Sequence, residues 1–213
     1  MSELLQSHGP FGESPRVVTT PVYLQPPRGR QYILRMPVRH PNTGLRIPPE
    51  LEWLRKSITQ FDDQRYPYYY VTVRSGLVTS VTDDEWHVDG YSMRVPQEPE
   101  VDYLWSDAYP TEFLLGNFVP PPSFDPLKHN LHWWLQDYAK GEVFRGDPYV
   151  WTKITPYVVY RRPQVPANVR RTMVRLSLIP LEIEDPNATP NPLLPVNYPP
   201  RADIRTTMLR WKA

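Results

Sequence analysis

Apolar positions along the chain recur with two different periods. Leu51, Leu54, Ile58 and Phe61 stand three or four residues apart behind Pro48-Pro49-Glu50, which predicts a helix over about 49–60. Proline at the first helical position and an early glutamate suit that start. After Tyr66-Pro67 the period shortens to two. It predicts a strand over Tyr68–Arg74 closed by a Ser75-Gly76 turn, and another over Val101–Ser106, with Val101, Tyr103 and Trp105 on one face. Further strands are expected at Val17–Leu24, Gln31–Val38, Thr111–Val119, Glu142–Arg145, Val150–Arg161 and Arg171–Glu184, with a short one leading into Trp86–Asp89. Leu127, Leu131, Trp134, Leu135 and Tyr138 predict a helix within Phe124–Tyr138. No internal repeat is visible.

Composition sharpens this picture at one point. Proline makes up 28 of 213 residues, against an average near 5%. Because proline breaks helices and inner sheet ladders, the fold cannot be a helical bundle. Short strands joined by Pro/Gly turns point to a mainly β domain, a sandwich or barrel, over residues 31–184. Residues 1–30 read as a Pro-rich arm and 185–213 as a Pro/Asn-rich tail. Seven Trp, 14 Tyr and 6 Phe supply a sizeable core.

Charge and cysteine usage narrow the chemistry. A formal net charge of +1 gives no global attraction to nucleic acid or membrane. There is no cysteine, so disulfides, thiolate metal sites and thiol nucleophiles are excluded. The first fifteen residues lack the basic-then-apolar order of a signal peptide, and no apolar run reaches the ~18 residues of a membrane span. A cytoplasmic location is the expectation. Glycine-rich phosphate loops, nucleophile elbows and zinc-hydrolase motifs are absent from the sequence.

Within the β-rich stretch, Trp86-His87-Val88-Asp89-Gly90 carries the most specific chemistry. Residues i and i+2 of a strand share a face, so His87 and Asp89 can converge on one ion. An imidazole and a carboxylate suit a borderline ion such as Fe(II). Taken alone, a His-x-Asp tripeptide is more often a surface pair. Its setting in a β-rich chain adds to it, as do the later segments Thr155–Pro163 and Arg170–Leu178. Over about residues 67–184 the chain resembles the iron(II)- and 2-oxoglutarate-dependent oxygenases.

That resemblance implies a double-stranded β-helix (jelly-roll, cupin-like) with a few flanking helices. It implies Fe(II), with 2-oxoglutarate and O₂ as cosubstrates, and oxidation of a C–H bond in a small molecule. The family's third ligand is a histidine on a late strand; here Tyr160, 73 residues after His87, holds that position. Three readings follow. Tyr160 ligates as a phenolate; or His129 or His132 is the third ligand, although both sit in a helical pattern beside Trp133 and Trp134 that packing explains; or the site is degraded and the domain is a binding or structural module. A cupin-like metalloenzyme that does not use 2-oxoglutarate is a further alternative.

The family's cosubstrate-binding arginine has two candidates, Arg171 and Arg175, which lie 11 and 15 residues past Tyr160. They alternate onto one strand face with Met173 and Ser177, and Arg175-Leu176-Ser177 resembles an Arg-x-Ser used in one branch of the family. Spacing favours Arg171, and the other arginine would then pair with acids on a neighbouring strand. Tyr103 and Trp105 are candidate pocket residues, with core packing as the plainer reading. Asp83-Asp84-Glu85 reads as a solvated turn, and Arg161-Arg162 as a solvated strand end.

Overall fold

Alternation of large apolar and polar side chains is satisfied by two antiparallel sheets with a helical cover on each outer side. The computed structural model describes residues 9–78, 85–89, 100–125 and 128–194. Residues 1–8 of the arm, Asp83, Asp84, Gly90, Leu127 and residues 195–213 of the tail therefore lie outside the described residues. The strands are β1 (Arg16–Val17), β2 (Gln31–His40), β3 (Gly44–Leu45), β4 (Tyr68–Leu77), β5 (Val101–Ser106), β6 (Glu112–Leu115), β7 (Glu142–Arg145), β8 (Thr152–Ile154), β9 (Val159–Arg161) and β10 (Arg170–Ile179). A 3-10 helix (Pro49–Leu54) runs into α1 (Arg55–Gln60), and α2 spans Leu131–Tyr138. The larger sheet has the order β1-β8-β5-β10-β4-β2-β3 and the smaller one β7-β6-β9. The protein is thus mainly β. Among the described residues no helix is long and apolar enough to cross a membrane.

β10 shows why the layers stack as they do. Val174, Leu176 and Leu178 enter one core with Tyr69, Val71 and Val73 of β4 and Val101 and Trp105 of β5. Leu51, Leu54, Ile58 and Phe61 close that core from the helical side. Each such side chain, fully buried, contributes roughly 1.5–3 kcal/mol, enough to fix the strand's face. The opposite face of β10 presents Arg171, Met173, Arg175 and Ser177 toward the smaller sheet. There Phe113 and Tyr160 pack on Leu104 and Ile154 of the larger one. The smaller sheet's outer face, with Leu114 and Val159, is covered by Leu131, Trp134 and Leu135 of α2.

Several elements differ from the sequence pattern, each for a local reason. Ser75 and Gly76 lie inside β4, not in a turn: they pair with Thr172 and Arg171, and the Ser75 and Thr172 hydroxyls meet at 2.9 Å. Val150–Arg161 is two strands in different sheets, because the chain turns at Pro156 with Val158 N–H donating to the Thr155 carbonyl. The second helix starts only at Leu131, where the Asn130 side chain caps the N–H groups of His132 and Trp133. Of Val17–Leu24 only Val17 lies in a strand; beyond it, Val18 and Val22 each donate one bond to the carbonyls of Trp151 and Tyr149. Residues 9–24 therefore run along the two sheets, with Phe11 in a bridge to Phe118.

Candidate functional site

A single antiparallel bridge places the His-x-Asp segment. His87 N–H donates to the Tyr160 carbonyl and Tyr160 N–H to the His87 carbonyl, both at 3.0 Å. Such a doubly bonded pair sends both side chains to the same face, and the two rings lie 4.3 Å apart. Asp89, two residues on, returns to that face, while Trp86 and Val88 enter the outer core. The segment therefore extends the smaller sheet beside β9 and aims His87 and Asp89 at the larger sheet.

What meets Asp89 there is Arg175. The Tyr160 hydroxyl and Arg175 Nη1 both donate to Asp89 Oδ2. From its other edge the guanidinium grips Asp102 of β5 with Nε to Oδ1 at 2.9 Å and Nη2 to Oδ2 at 2.7 Å. Nη2 also reaches Glu100 at 3.2 Å, and the Ser177 hydroxyl donates to Asp102. One cation thus ties together three acidic side chains and a phenol from both sheets.

The electrostatics follow from that packing. Burial alone would raise the Asp89 carboxyl; Arg175, then His87, then the bonds from Tyr160 and Arg175 outweigh it and hold the group well below the usual carboxylate range. Burial drives the Tyr160 phenol well above its ordinary value, and the carboxylates of Asp89 and Asp102 add to this against the pull of Arg175. Burial, then Asp102, lifts Glu100 to about 8 in spite of Arg175. Desolvation opposes the charge on Arg175, but Asp102 and Asp89 more than reverse it, so the guanidinium stays charged.

These side chains do not fit an iron triad. A phenol must lose its proton to ligate, and the Tyr160 proton is bonded to the very carboxylate that would be its co-ligand. A permanent cation already sits on that carboxylate, and it opposes a second, divalent one. Arg175 is also committed to Asp102 and Glu100, which leaves its fork without a free edge for a cosubstrate carboxylate. Among the described residues no group of three or more His, Asp or Glu side chains is placed to hold a metal.

Of the residues singled out in the sequence, His87, Asp89, Tyr160, Arg175 and Ser177 come together. Arg171 does not join them: its Nε donates to the carbonyls of Ala108 and Tyr109, both at 3.0 Å. Tyr103 and Trp105 face the other way; Tyr103 stacks on Phe61 at 4.2 Å, and Trp105 is buried beside Trp151. His132 Nε2 donates to the Val88 carbonyl at 3.0 Å, and His129 Nδ1 accepts from Asp125 N–H at 2.8 Å. Arg161 pairs with Glu112 at 2.8 Å and lies over the Trp86 ring. Sequence reading missed Glu100 and Asp102. Parity offers a signal for Asp102, since an acid alternating with Val101 and Tyr103 must point to the face where Arg175 points. The chain matches no protein-family model, and no curated protein is significantly similar to it.

Proposed function

We propose that the chain is a jelly roll of the double-stranded β-helix type, and that its central polar corner is an internal ion-pair strut, making it a binding or structural module. Strand pairing supports the fold. Counting β4, the His87 segment and β5 to β10 as eight successive strands, the first pairs with the eighth and the second with the seventh. The third pairs with the sixth and the fourth with the fifth. Such nested pairing arises when one long hairpin is wound into a barrel.

The functional part rests on Arg175, whose guanidinium fills the corner between Asp89, Tyr160 and Asp102. The test is anaerobic Fe(II) titration of the full chain with and without 2-oxoglutarate, followed by optical spectroscopy. No metal-to-ligand band is expected, and no phenolate-to-iron(III) band on admitting air. Tyr160→His supplies a histidine and removes the phenol, so this variant should bind iron more tightly than the wild type. A visible band on adding 2-oxoglutarate to the iron-loaded wild type overturns the strut reading.

One observation favours the oxygenase as a second reading. His87 Nδ1 donates to the Glu85 carbonyl at 2.9 Å, which fixes its proton there. Its Nε2 has no hydrogen-bond partner among the described residues, and Asp89 shares its face. Under that reading His87 and Asp89 would hold Fe(II), and iron with 2-oxoglutarate and O₂ would supply the chemistry for oxidising a small-molecule substrate. The same titration separates the readings, and iron binding indifferent to 2-oxoglutarate marks the cupin-like alternative.

A further inference from the structure

Arginines crowd the other end of the inter-sheet face, where Asp107 is the acid that acts on Arg171 among the described residues. Arg171 stands four residues before Arg175 on the same face of β10, roughly 13 Å away along the strand. Its cross-strand partner is Gly76, and Arg74 is the diagonal neighbour on the same face of β4. The stem of Arg30 lies over Gly76, where a Cβ would stand 3.3 Å from Arg30 Cγ. Arg162 comes from the connection after β9, in the opposite sheet.

None of these four guanidinium groups forms an ion pair with a carboxylate among the described residues. Arg162 Nε is buried with no hydrogen-bond partner among the described residues. Arg171 is only 7% exposed, and among the described residues it engages two carbonyls through Nε, with no hydrogen bond from its terminal nitrogens. Burial, then Arg162 beside it, bring the Arg171 guanidinium down to about 10 in spite of Asp107. Asp107 already accepts from Thr172 N–H at 2.7 Å. Arg171 is buried and Arg162 half-buried, while Arg74, which lies over the Tyr32 ring at 5.9 Å, and Arg30 are exposed. A buried cation is normally paired, and one without a carboxylate that has further arginines beside it suits an anion site.

We propose that this end of the seven-stranded sheet binds a phosphate-type oxyanion, held by Arg171, Arg162 and Arg74, with Arg30 at the open edge. Donors arriving from two neighbouring strands and from the facing sheet suit a tetrahedral anion with several oxygens better than a planar carboxylate. The site does not depend on how the Asp89 corner is read.

The test is isothermal titration of the full chain with inorganic phosphate at constant ionic strength, with succinate and 2-oxoglutarate as comparison anions. Saturable one-site binding is expected, weakened tenfold or more in Arg162→Gln and several-fold in Arg74→Gln. Arg74 is exposed, so its variant keeps the fold. In phosphate-free buffer Arg74→Gln should also melt above the wild type, because one of the repelling charges is gone. Phosphate heats that do not saturate, phosphate binding unchanged in both variants, or tighter binding of either carboxylate each overturn the proposal.

Discussion

Arg175 on β10 grips both oxygens of Asp102 on β5, at 2.9 and 2.7 Å, across a register that pairs Arg175 with Leu104 and Ser177 with Asp102. The diagonal offset lets the guanidinium lie along the carboxylate and still reach Asp89 in the facing sheet. Removing either partner strands the other as a buried charge, which costs about 3–5 kcal/mol. Asp102→Leu and Arg175→Leu should each lose that much in urea denaturation. The double variant should lose less than the two together, by at least ~1 kcal/mol. Strict additivity would mean that the pair contributes no coupling.

Glu100 gives the corner a pH dependence with a definite sign. Its folded-state value of about 8 lies above the ordinary 4.5, so the folded chain keeps this proton longer than the unfolded one. The contribution is full below about pH 4.5 and is lost as pH rises through about 8. Glu100→Gln keeps the shape and removes the titration. Between pH 5 and 8.5 the wild type should therefore lose stability relative to Glu100→Gln by roughly 4 kcal/mol, ~8–15 °C in melting temperature. The acid limb set by Asp89 runs the other way: that stability is present above about pH 3.8 and lost as pH falls. It should be common to both proteins. Parallel melting profiles across the upper window count against a protonated Glu100.

How much of this was legible in the sequence depends on the range of the interaction. The period-two run of Val101–Ser106 locates β5 to the residue, because alternation is local and the strand is uninterrupted, and the expected Glu142–Arg145 coincides with β7. The same rule puts His87 and Asp89 on one face. It also places Tyr103 and Trp105 opposite Arg175, so a pocket role for those two conflicts with the strand parity already written in Val101–Ser106. The partner of Arg175 was not legible, since Asp102 lies 73 residues away and only the β5–β10 register joins them. Spacing from Tyr160 pointed to Arg171 as the free anion binder beside the ligands. The β10 register instead carries it away from Asp89, to the carbonyls of Ala108 and Tyr109.

Asn191 ties the C-terminal Pro/Asn-rich stretch to the larger sheet. It is 1% exposed, and its Nδ2 donates to the carbonyls of Pro37 at 2.7 Å and Arg46 at 2.9 Å. Thr189 adds to the tie, with its N–H on the Leu34 carbonyl and its hydroxyl accepting from Leu34 N–H. Asn191→Ala leaves two carbonyls of β2 and its neighbourhood without donors and should cost about 2–3 kcal/mol. Amide hydrogen exchange should then speed up at Leu34 and Thr189 while β10 stays protected. Equal acceleration in both places would show that the segment and the sheet open as one unit.

Gly141 is the tightest steric point where the smaller sheet closes. A Cβ there would stand 2.0 Å from the Leu115 carbonyl oxygen and 3.0 Å from the Phe118 ring. The next residue, Glu142, pairs with Leu115 at the end of the β6–β7 ladder, so that backbone cannot step aside without breaking the register. Gly44 offers the contrast: its φ is +69° and nothing lies within 4 Å of its missing Cβ. Gly44→Ala meets only backbone strain, about 1–2 kcal/mol. Gly141→Ala meets overpacking against main chain and should cost about 3 kcal/mol or more. Midpoints of urea unfolding for the two variants check the order. If Gly141→Ala is no worse than Gly44→Ala, β7 does not close against β6 at Leu115. The smaller sheet would then end at β6, and the fourth-to-fifth pairing on which the proposed jelly-roll winding rests would be lost.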